Sequence, residues 1–422
     1  MAILSSPTDR TTGRATGTSS PHALLGHLRS SLDKPLASYH LVMASSGLLL
    51  ALGMMMVLSA SSYYAYVNTG DSYYFVKRQV IFLIVGLLTA WLVSRMSLST
   101  LRMLGWVALF GSLVLLVLTY TPLGDDVNGN RNWVVLGHSL LRLQPSEFAK
   151  LAIVLWGADV LARKEHLLEQ PKHLIIPYLP VTGILVLLVI FQGDLGTAMV
   201  MAGVILGVLF MMGAPMRLLA GLMALGGAGI LAMVIISPNR MRRFTAFLNP
   251  TEDLLGVNMQ ATVGIQAIAS GGWWGRGLGA SRQKWGPLRE AHTDFVFAVT
   301  AEELGLFGSL AVLVLFLVLG YAGIRIALRS DNSFCRHVAS GVTAWFMFQA
   351  LINLLVVLRL GPVMGVPLPL VSYGGSALLA NLIALGLLLA CARNEPDARE
   401  VLTGHRTRKV APRVTTVVGG RS

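Results

Sequence analysis

The segment at residues 290–294 carries the side chains of this sequence that are best suited to acid–base chemistry. Its residues are Glu290, Ala291, His292, Thr293 and Asp294, and a long apolar stretch follows them. A carboxylate that is partly desolvated at a membrane boundary has a raised pKa and can act as a general base. Thr293 or Asp294 could instead only cap the following helix, which is a common role for such residues. Spacing alone leaves both interpretations open.

Other ionisable residues lie within apolar segments, where charged groups are costly and usually functional. Glu147 and Lys150 are three residues apart on one face of a predicted helix, and Glu302 and Glu303 follow Asp294. A local ion pair between Glu147 and Lys150 that only supports packing is the simpler alternative. Weaker candidates, each of which could be a hydrogen-bonding group between helices, are Asp159, Asp194, Gln349, Asn353 and Arg359.

Basic and aromatic residues are concentrated upstream of the acidic segment. Seven Arg and Lys residues lie between positions 240 and 289, among them Arg276 and Lys284. Such side chains bind phosphate through charge-assisted hydrogen bonds, so they could hold an anionic, membrane-anchored substrate. They could equally extend to lipid headgroups. Trp273 and Trp274 alternate with glycines, which is typical of a re-entrant segment, a sugar-binding surface or an interfacial aromatic belt.

The composition places these residues in a membrane protein. Of the 422 residues, 54% are hydrophobic and 13% are charged, with a mean hydropathy of +0.67; soluble domains carry about 25% charged residues. A soluble enzyme is therefore excluded. The net charge of +13 indicates loop orientation and headgroup contact rather than a nucleic-acid partner. Two cysteines and the lack of zinc, P-loop or dinucleotide motifs argue against a cysteine-rich metal site or a nucleotide cofactor.

Ten apolar segments are long enough to cross a bilayer, which takes about 20 residues per helix. They predict an all-α polytopic membrane protein, with spans near residues 41–60, 79–94, 103–120, 146–162, 174–191, 196–212, 217–236, 301–324, 338–358 and 375–392. Basic residues favour one set of loops and both tails, so both termini are predicted to be cytoplasmic. The predicted domains are a disordered tail at 1–37, a membrane domain at 38–393 and a disordered basic tail at 394–422.

One long loop, at about residues 237–294 between the seventh and eighth spans, is predicted to lie outside the cytoplasm. Long loops in compact domains are usually functional or disordered. This loop ends in the acidic segment and contains the basic and tryptophan-rich residues. The sequence therefore predicts a functional site on the outer face of the membrane.

The motifs resemble those of the SEDS family of shape, elongation, division and sporulation proteins. The resemblance covers residues from about 75 to 376 and depends on several stretches that occur in the same order: Gln-Pro-Ser-Glu-Phe-Ala-Lys at 144–150, Asp-Leu-Gly-Thr at 194–197, Ser-Gly-Gly-Trp at 270–273 and Glu-Ala-His-Thr-Asp-Phe at 290–295. The last stretch has the form of the division branch rather than the elongation branch. One departure is at Arg131, where the family often has two arginines before a tryptophan.

This resemblance implies a peptidoglycan glycosyltransferase that polymerises lipid II at the outer face of the cytoplasmic membrane during septal wall synthesis. Asp294 matches the essential acidic residue of the family and would be the general base, with Glu147 and Lys150 facing the same cavity. Lys150 and loop arginines would stabilise the departing pyrophosphate. The further binding or supporting residues implied are Arg131, Arg276, Lys284, Glu290, His292, Thr293, Glu302 and Ser372.

The resemblance also implies partners, and the chemistry allows a cofactor. The expected partners are the lipid II substrate, a class B penicillin-binding protein and other membrane proteins of the division complex. A divalent cation, Mg²⁺ or Mn²⁺, could stabilise the leaving group. The alternatives are a lipid II flippase or transporter, a structural division scaffold, and the elongation-type activity of the same family.

Overall fold

The computed structural model describes residues 34–127, 130–135, 142–165, 176–249, 256, 258–285, 288, 290–402 and 404. Most of the two predicted tails, residues 1–33 and 405–422, lies outside this described part of the chain. The described start of the predicted C-terminal tail forms a short helix at Pro396–Leu402, so the prediction of disorder is wrong there, and for the residues outside the described part it stays a prediction.

Thirteen α-helices make up most of the described residues. They are α1 Ala37–Thr69, α2 Tyr74–Arg95, α3 Leu98–Leu118, α4 Pro145–Arg163, α5 Tyr178–Phe191, α6 Leu195–Met211, α7 Met216–Ile236, α8 Pro238–Leu248, α9 Met259–Gly271, α10 Val296–Arg329, α11 Ser333–Val357, α12 Gly375–Arg393 and α13 Pro396–Leu402. Ten of these helices coincide with the ten predicted spans. The predicted polytopic all-α fold is confirmed.

Seven of the ten helices are long and apolar enough to cross a membrane by length and composition: α1, α2, α3, α7, α10, α11 and α12. Helices α5 and α6 are equally apolar but shorter. Helix α4 differs because it carries Glu147, Lys150 and Asp159, and all three are buried. Charged residues inside a membrane bundle normally face protein rather than lipid, and α4 follows that rule.

Helix α4 lies at the centre of the bundle and α7 lies at its edge. Of the 19 residues of α4, all but Phe148, Ala162 and Arg163 are buried, because the helix packs against α3, α6 and α11. In α7 only Leu219 and Val234 are buried, and the helix contacts only its neighbours α6 and α8 to any extent within the described chain. A helix that is apolar all round but little buried presents most of its surface to lipid.

A small antiparallel sheet, which the sequence did not predict, precedes α4. Its strands are β1 Gly124–Val127, β2 Asn130–Val135 and β3 Arg142–Leu143, in that order. The Arg142 guanidinium lies 2.6 Å from Asp125 and 5.1 Å from the centre of the Trp133 ring, which fixes the third strand to the other two. The sheet contacts α3, α4 and α12.

The described part of the long predicted loop contains α8 and α9. Its glycine-rich part folds back on α10, which is interrupted at Gly305 (φ 68°, ψ −163°). The Arg276 and Gly277 N–H groups donate to Glu302 and Glu303 carbonyls at 3.0 Å each, and Leu306 N–H donates to the Gly272 carbonyl at 2.9 Å. A side chain at Gly305 would collide with the backbone of Gly275. The loop therefore satisfies backbone groups that the helix break leaves free.

Candidate active site

Asp294 lies in a tight turn directly before α10. Glu290 adopts a left-handed conformation (φ 56°), and its carbonyl accepts hydrogen bonds from the N–H groups of Thr293 and Phe295 at 3.2 Å each. The buried Phe295 is the N-terminal cap position of α10, and no side chain caps the helix. The alternative that Thr293 or Asp294 serves as a helix cap is therefore wrong. The Asp294 carboxylate is free to act on something else.

The carboxylate opens into a cavity of about 400 Å³, which we call the acidic cavity. Its walls come from α1, α2, the small sheet, the turn before α10 and the segment before α12. The lining residues are Tyr64, Phe75, Arg78, Phe82, Asn132, Trp133, Arg142, Gln144, Glu290, His292, Thr293, Asp294, Gly365, Pro367, Tyr373, Gly374, Gly375, Ser376 and Ala377. Aromatic rings, two guanidinium groups and the carboxylates thus share one space.

A second cavity of similar volume, about 400 Å³, lies beside α7; we call it the basic cavity. One wall is the apolar surface of α7 formed by Gly227, Ile230, Leu231 and Val234. The opposite end carries Arg240 and Arg243 of α8, together with Asp194, Met364 and nearby backbone. The cavity is therefore apolar along the membrane helix and cationic at its outer end.

The two cavities share a polar wall centred on Asp194. Its carboxylate lines the basic cavity and accepts hydrogen bonds from Asn132 Nδ2 at 3.0 Å and Gln144 Nε2 at 3.1 Å, and both amides line the acidic cavity. The neighbouring residues Met364 and Gly365 line one cavity each. A ligand in either cavity therefore lies within reach of the other.

The electrostatic environment raises the pKa of Asp294 to about 7. Burial is the largest cause, and the nearby carboxylates of Glu290 and Asp194 add to it, while Arg243 acts in the opposite direction. A general base is most effective when its pKa lies near the working pH. Burial also lowers the pKa of His292, so its imidazole is neutral at pH 7. Asp294 therefore exchanges a proton readily in the neutral range.

Four residues of the predicted site come together in the acidic cavity: Glu290, His292, Thr293 and Asp294. The Thr293 hydroxyl donates to Glu290 Oε2 at 2.8 Å. The His292 ring contacts the rings of Tyr64, Phe75 and Tyr373, with centroid separations from 4.8 to 5.6 Å. His292 is thus packed among aromatic side chains, and Asp294 is the acid with open space before it.

The implied position of Glu147 and Lys150 in the same cavity is not what the structure shows. Both side chains are 1% exposed and line neither cavity. Lys150 Nζ donates to Glu147 Oε1 at 2.7 Å and to Gln349 Oε1 at 2.8 Å, and it lies over the Trp345 ring. The three-residue spacing predicts a shared helix face, and that face meets α11 rather than the cavity. Lys150 therefore has no direct access to a departing pyrophosphate.

Arg276, Lys284 and Glu302 also line neither cavity, and they belong to a separate cluster that we call the loop cluster. Within it, Glu303 Oε1 accepts hydrogen bonds from Lys284 Nζ at 2.8 Å and Ser59 Oγ at 2.6 Å. Ser281 Oγ donates to Glu302 Oε2 at 2.6 Å, and Arg276 Nη1 lies 3.9 Å from Glu302 Oε1. The cluster holds the glycine-rich loop against α10.

Arg131 and Ser372 stabilise outer segments without lining a cavity. The exposed Arg131 donates through Nη2 to the Thr121 carbonyl at 3.1 Å, and its N–H donates to the Gln192 carbonyl at 3.0 Å. Ser372 Oγ accepts a hydrogen bond from Leu368 N–H at 2.8 Å. Their neighbours Asn132 and Tyr373 line the acidic cavity instead.

Sequence reasoning missed Arg78, Arg142 and Tyr373, which contribute to the acidic cavity from three different parts of the chain. All three lie within the region of family resemblance, and Arg142 lies two residues before Gln144, where the 144–150 stretch begins. That proximity was the available signal. Nothing in the spacing of these residues predicts that they meet.

Comparison with known proteins identifies the family of the chain. A family model described as "Cell cycle protein", which covers the FtsW, RodA and SpoVE proteins, matches residues 39–396. The chain belongs to this family. The match includes every helix from α2 to α12 and all residues that line the two cavities. The family is the same group of proteins that the sequence motifs resemble.

Individual members of this family are similar in sequence to most of the chain. The probable peptidoglycan glycosyltransferase FtsW of Mycobacterium tuberculosis is 37% identical over 381 residues, 90% of this chain and 72% of that protein. Stage V sporulation protein E of Bacillus subtilis is 38% identical over 347 residues, 82% of this chain and 94% of that protein. Among solved structures, one described as "Structural coordination of polymerization and crosslinking by a peptidoglycan synthase complex" has a TM-score of 0.68 at 32% identity, covering 84% of this chain and 97% of that chain.

Proposed function

We propose that the protein is a peptidoglycan glycosyltransferase that polymerises lipid II at the outer face of the cytoplasmic membrane during septal wall synthesis. One observation carries the proposal: a carboxylate with a pKa of about 7, Asp294, faces a cavity of about 400 Å³ beside a second cavity that is cationic at one end. The family members named FtsW support the reaction and its role in division.

In the proposed reaction Asp294 acts as the general base. It takes the proton of the GlcNAc 4-hydroxyl of the acceptor while that oxygen forms a bond to the anomeric carbon of the donor sugar. The bond between this carbon and the pyrophosphate oxygen breaks, and its electron pair leaves with undecaprenyl pyrophosphate. Positioned base catalysis of this type typically contributes 10²- to 10⁴-fold in rate.

The two cavities suit the two substrates of this reaction. The acidic cavity would hold the acceptor sugar, since it contains Asp294 and aromatic side chains such as Trp133 on which sugar rings can stack. The basic cavity would hold the donor pyrophosphate at Arg240 and Arg243, with its polyprenyl chain along α7. Arginine suits this role because its guanidinium binds phosphate oxygens in bidentate fashion. These arginines replace Lys150 as the groups that stabilise the leaving pyrophosphate.

A divalent cation, Mg²⁺ or Mn²⁺, is a further proposal. The described residues contain no group of three or more His, Cys, Asp or Glu side chains able to hold a metal. Mg²⁺ usually binds through one or two carboxylates together with substrate phosphates, and Asp194 is the acidic residue that lines the basic cavity, where the pyrophosphate would lie. When bound, such an ion would neutralise developing charge on the pyrophosphate.

The proposed partner is a class B penicillin-binding protein of the division complex at the septal membrane. The solved structure with a TM-score of 0.68 is that of a peptidoglycan synthase complex described as coordinating polymerisation with crosslinking. We propose that this chain polymerises within a complex of the same kind, in contact with other division proteins.

A lipid II flippase is the second candidate, because the basic cavity lies along a membrane helix that is largely exposed to lipid. The deciding experiment reconstitutes the purified protein with its penicillin-binding partner and lipid II. Glycan ladders on a gel that disappear in Asp294→Asn support the glycosyltransferase. Transbilayer movement of lipid II without any glycan, from a folded and partner-bound protein, would favour the flippase. The elongation-type activity predicts the same ladders but a partner from the elongation complex.

A further inference from the structure

The buried side chain of Asn353 in α11 binds two backbone carbonyls from separate segments around the acidic cavity. Its Nδ2 donates to the Asp294 carbonyl at 2.8 Å and to the Val366 carbonyl at 2.7 Å. A carboxamide has two N–H donors, so both are used. One carbonyl belongs to the turn that carries the proposed base, and the other lies in the extended segment at residues 361–369. The side-chain amide of Asn353 thus joins the two segments.

Gln349, which lies one helical turn before Asn353 in α11, also binds the extended segment. Its Nε2 donates to the Pro367 carbonyl at 2.9 Å, while its Oε1 accepts hydrogen bonds from Lys150 Nζ at 2.8 Å and Trp345 Nε1 at 2.7 Å. Lysine and indole groups only donate, so they fix which end of the Gln349 amide faces the segment. The buried Lys150 therefore acts on the cavity wall through an amide rather than through its charge.

The joined segments touch at the carboxylate itself. Gly365, in a left-handed conformation (φ 67°), lines the acidic cavity, and a Cβ built on it would lie 3.4 Å from Asp294 Oδ2. The space beside the carboxylate is thus set by the separation of the turn and the extended segment. A reacting group must be held at about 3 to 3.5 Å from its partner, and a displacement of about 1 Å can cost 100-fold in rate.

We propose that Asn353 is a positioning residue for glycosyl transfer, which clamps the turn carrying Asp294 to the extended segment at 361–369 and so sets the approach of the acceptor hydroxyl to the carboxylate. The inference rests on the proposed function. Asn353 itself touches no substrate, because it lines neither cavity. The alternative is that Asn353 makes structural hydrogen bonds that only add stability.

The pH profile of the reaction separates these two roles. A released turn would admit water to Asp294, so the carboxylate would titrate nearer its ordinary value and the acidic limb of kcat would move to lower pH. A purely structural bond would leave the limb in place. The charged and titratable groups that surround the carboxylate, and which stay unchanged in the variants, are Glu290 and His292 of its own turn, Asp194 before α6, Arg243 of α8, Arg78 of α2, Arg142 of β3, Tyr64 of α1 and Tyr373 before α12.

The experiment compares Asn353→Leu and Asn353→Ser in the full-length protein, bound to its partner, with Asn381→Leu as the matched control. Leucine keeps the approximate shape and removes both donors, and serine keeps one donor. Asn381 is an equally buried asparagine in α12 whose side chain makes no hydrogen bond to the cavity segments described. Lipid II polymerisation is measured as kcat and KM from about pH 5 to about pH 9, beside thermal unfolding.

The expected result is a kcat about 10- to 100-fold lower for Asn353→Leu, with KM changed less than about twofold and the acidic limb of kcat shifted to lower pH. Asn353→Ser is expected to fall between this variant and the wild type, and Asn381→Leu to match the wild type. Wild-type kcat in a folded Asn353→Leu, or a loss that follows thermal stability at an unchanged limb in both Asn353 variants, would overturn the positioning role alone. A folded wild-type complex that makes no glycan would overturn the proposed function, and this inference with it.

Discussion

Asn132 of the small sheet donates a hydrogen bond of 3.0 Å to Asp194 at the start of α6. The bond crosses from the acidic cavity to the basic cavity, and Gln144 makes a parallel bond at 3.1 Å. In the proposed reaction this wall is where the acceptor sugar and the donor pyrophosphate meet. The negative charge of Asp194 contributes to the raised pKa of Asp294.

Asp294→Asn is expected to reduce glycan synthesis by at least about 100-fold, because the amide cannot take the proton. Gel analysis of lipid II polymerisation measures this loss. The control is Asp71→Asn. Asp71 lies in the loop between α1 and α2, and its exposed carboxylate pairs with Lys77 of α2. Equal glycan yield from Asp294→Asn and wild type would show that another group is the base.

Stability should depend on pH in the opposite sense to activity. Because the pKa of Asp294 is raised from 3.8 to about 7 in the folded protein, the folded state binds more protons than the unfolded state between these values. The contribution of this group to stability is therefore lost as the pH rises through that range. Asp294→Asn is expected to unfold at a higher temperature than wild type at pH 8, with a smaller difference near pH 4. A constant difference across this range would contradict the raised pKa.

Two substitutions near Asp294 should move the acidic limb of the polymerisation rate in opposite directions. Asp194→Asn removes a charge that raises the pKa of Asp294, so the limb should move to lower pH. Arg243→Ala removes a charge that lowers this pKa, so the limb should move to higher pH. Rate measurements across the pH range test both variants. A shift of the acidic limb in the same direction in both variants would mean that the substitutions act through structure rather than charge.

The basic cavity should control donor affinity. Arg240→Ala and Arg243→Ala are each expected to raise KM for lipid II by about tenfold, since a charge-assisted hydrogen bond contributes roughly 1.5–3 kcal/mol. The matched control is Arg217→Ala, an exposed arginine at the opposite end of α7. Equal KM values in all three variants would exclude the assignment of the pyrophosphate to this cavity.

The loop cluster should matter for folding rather than for catalysis. Lys284 and Glu303 are 3% and 0% exposed, and their charged atoms lie 2.8 Å apart. Lys284→Met leaves Glu303 without its cationic partner, and breaking a buried pair in this way typically costs about 3–5 kcal/mol. Thermal unfolding is expected to show a large loss, much of which Lys284→Met combined with Glu303→Gln restores. Similar stability of the single and double variants would contradict this account.

The spans could be predicted from the sequence because contact with lipid requires a continuous apolar surface, which is a local property of each segment. The small sheet could not, since its strands are short and polar and are defined by pairs such as Gly124 with Val134 and Val134 with Leu143. The extent of α10 was also underestimated: it begins at Val296 rather than near 301, because its first residues pack inside the protein.

The predicted site residues lie together where they are neighbours in the chain, and most of those from distant segments lie elsewhere. Glu290, His292, Thr293 and Asp294 share one turn, so their types and order already indicate a site. Arg142 reaches the same cavity from the sheet, and its only sequence signal is its position two residues before the 144–150 stretch. For Lys150 the helical spacing gave the correct partner, Glu147, but a face of a helix does not show which neighbour it meets.

The difference in burial between α4 and α7 has a consequence for how the sequence is free to change over evolutionary time. Sixteen of 19 residues are buried in α4, whereas two of 21 are buried in α7. Exchange of one apolar residue for another on the lipid-facing side of α7 disturbs no packing, while almost any exchange in α4 creates a void or a clash. We expect α7 to accumulate substitutions fastest among the membrane helices, with only its cavity-lining positions held back.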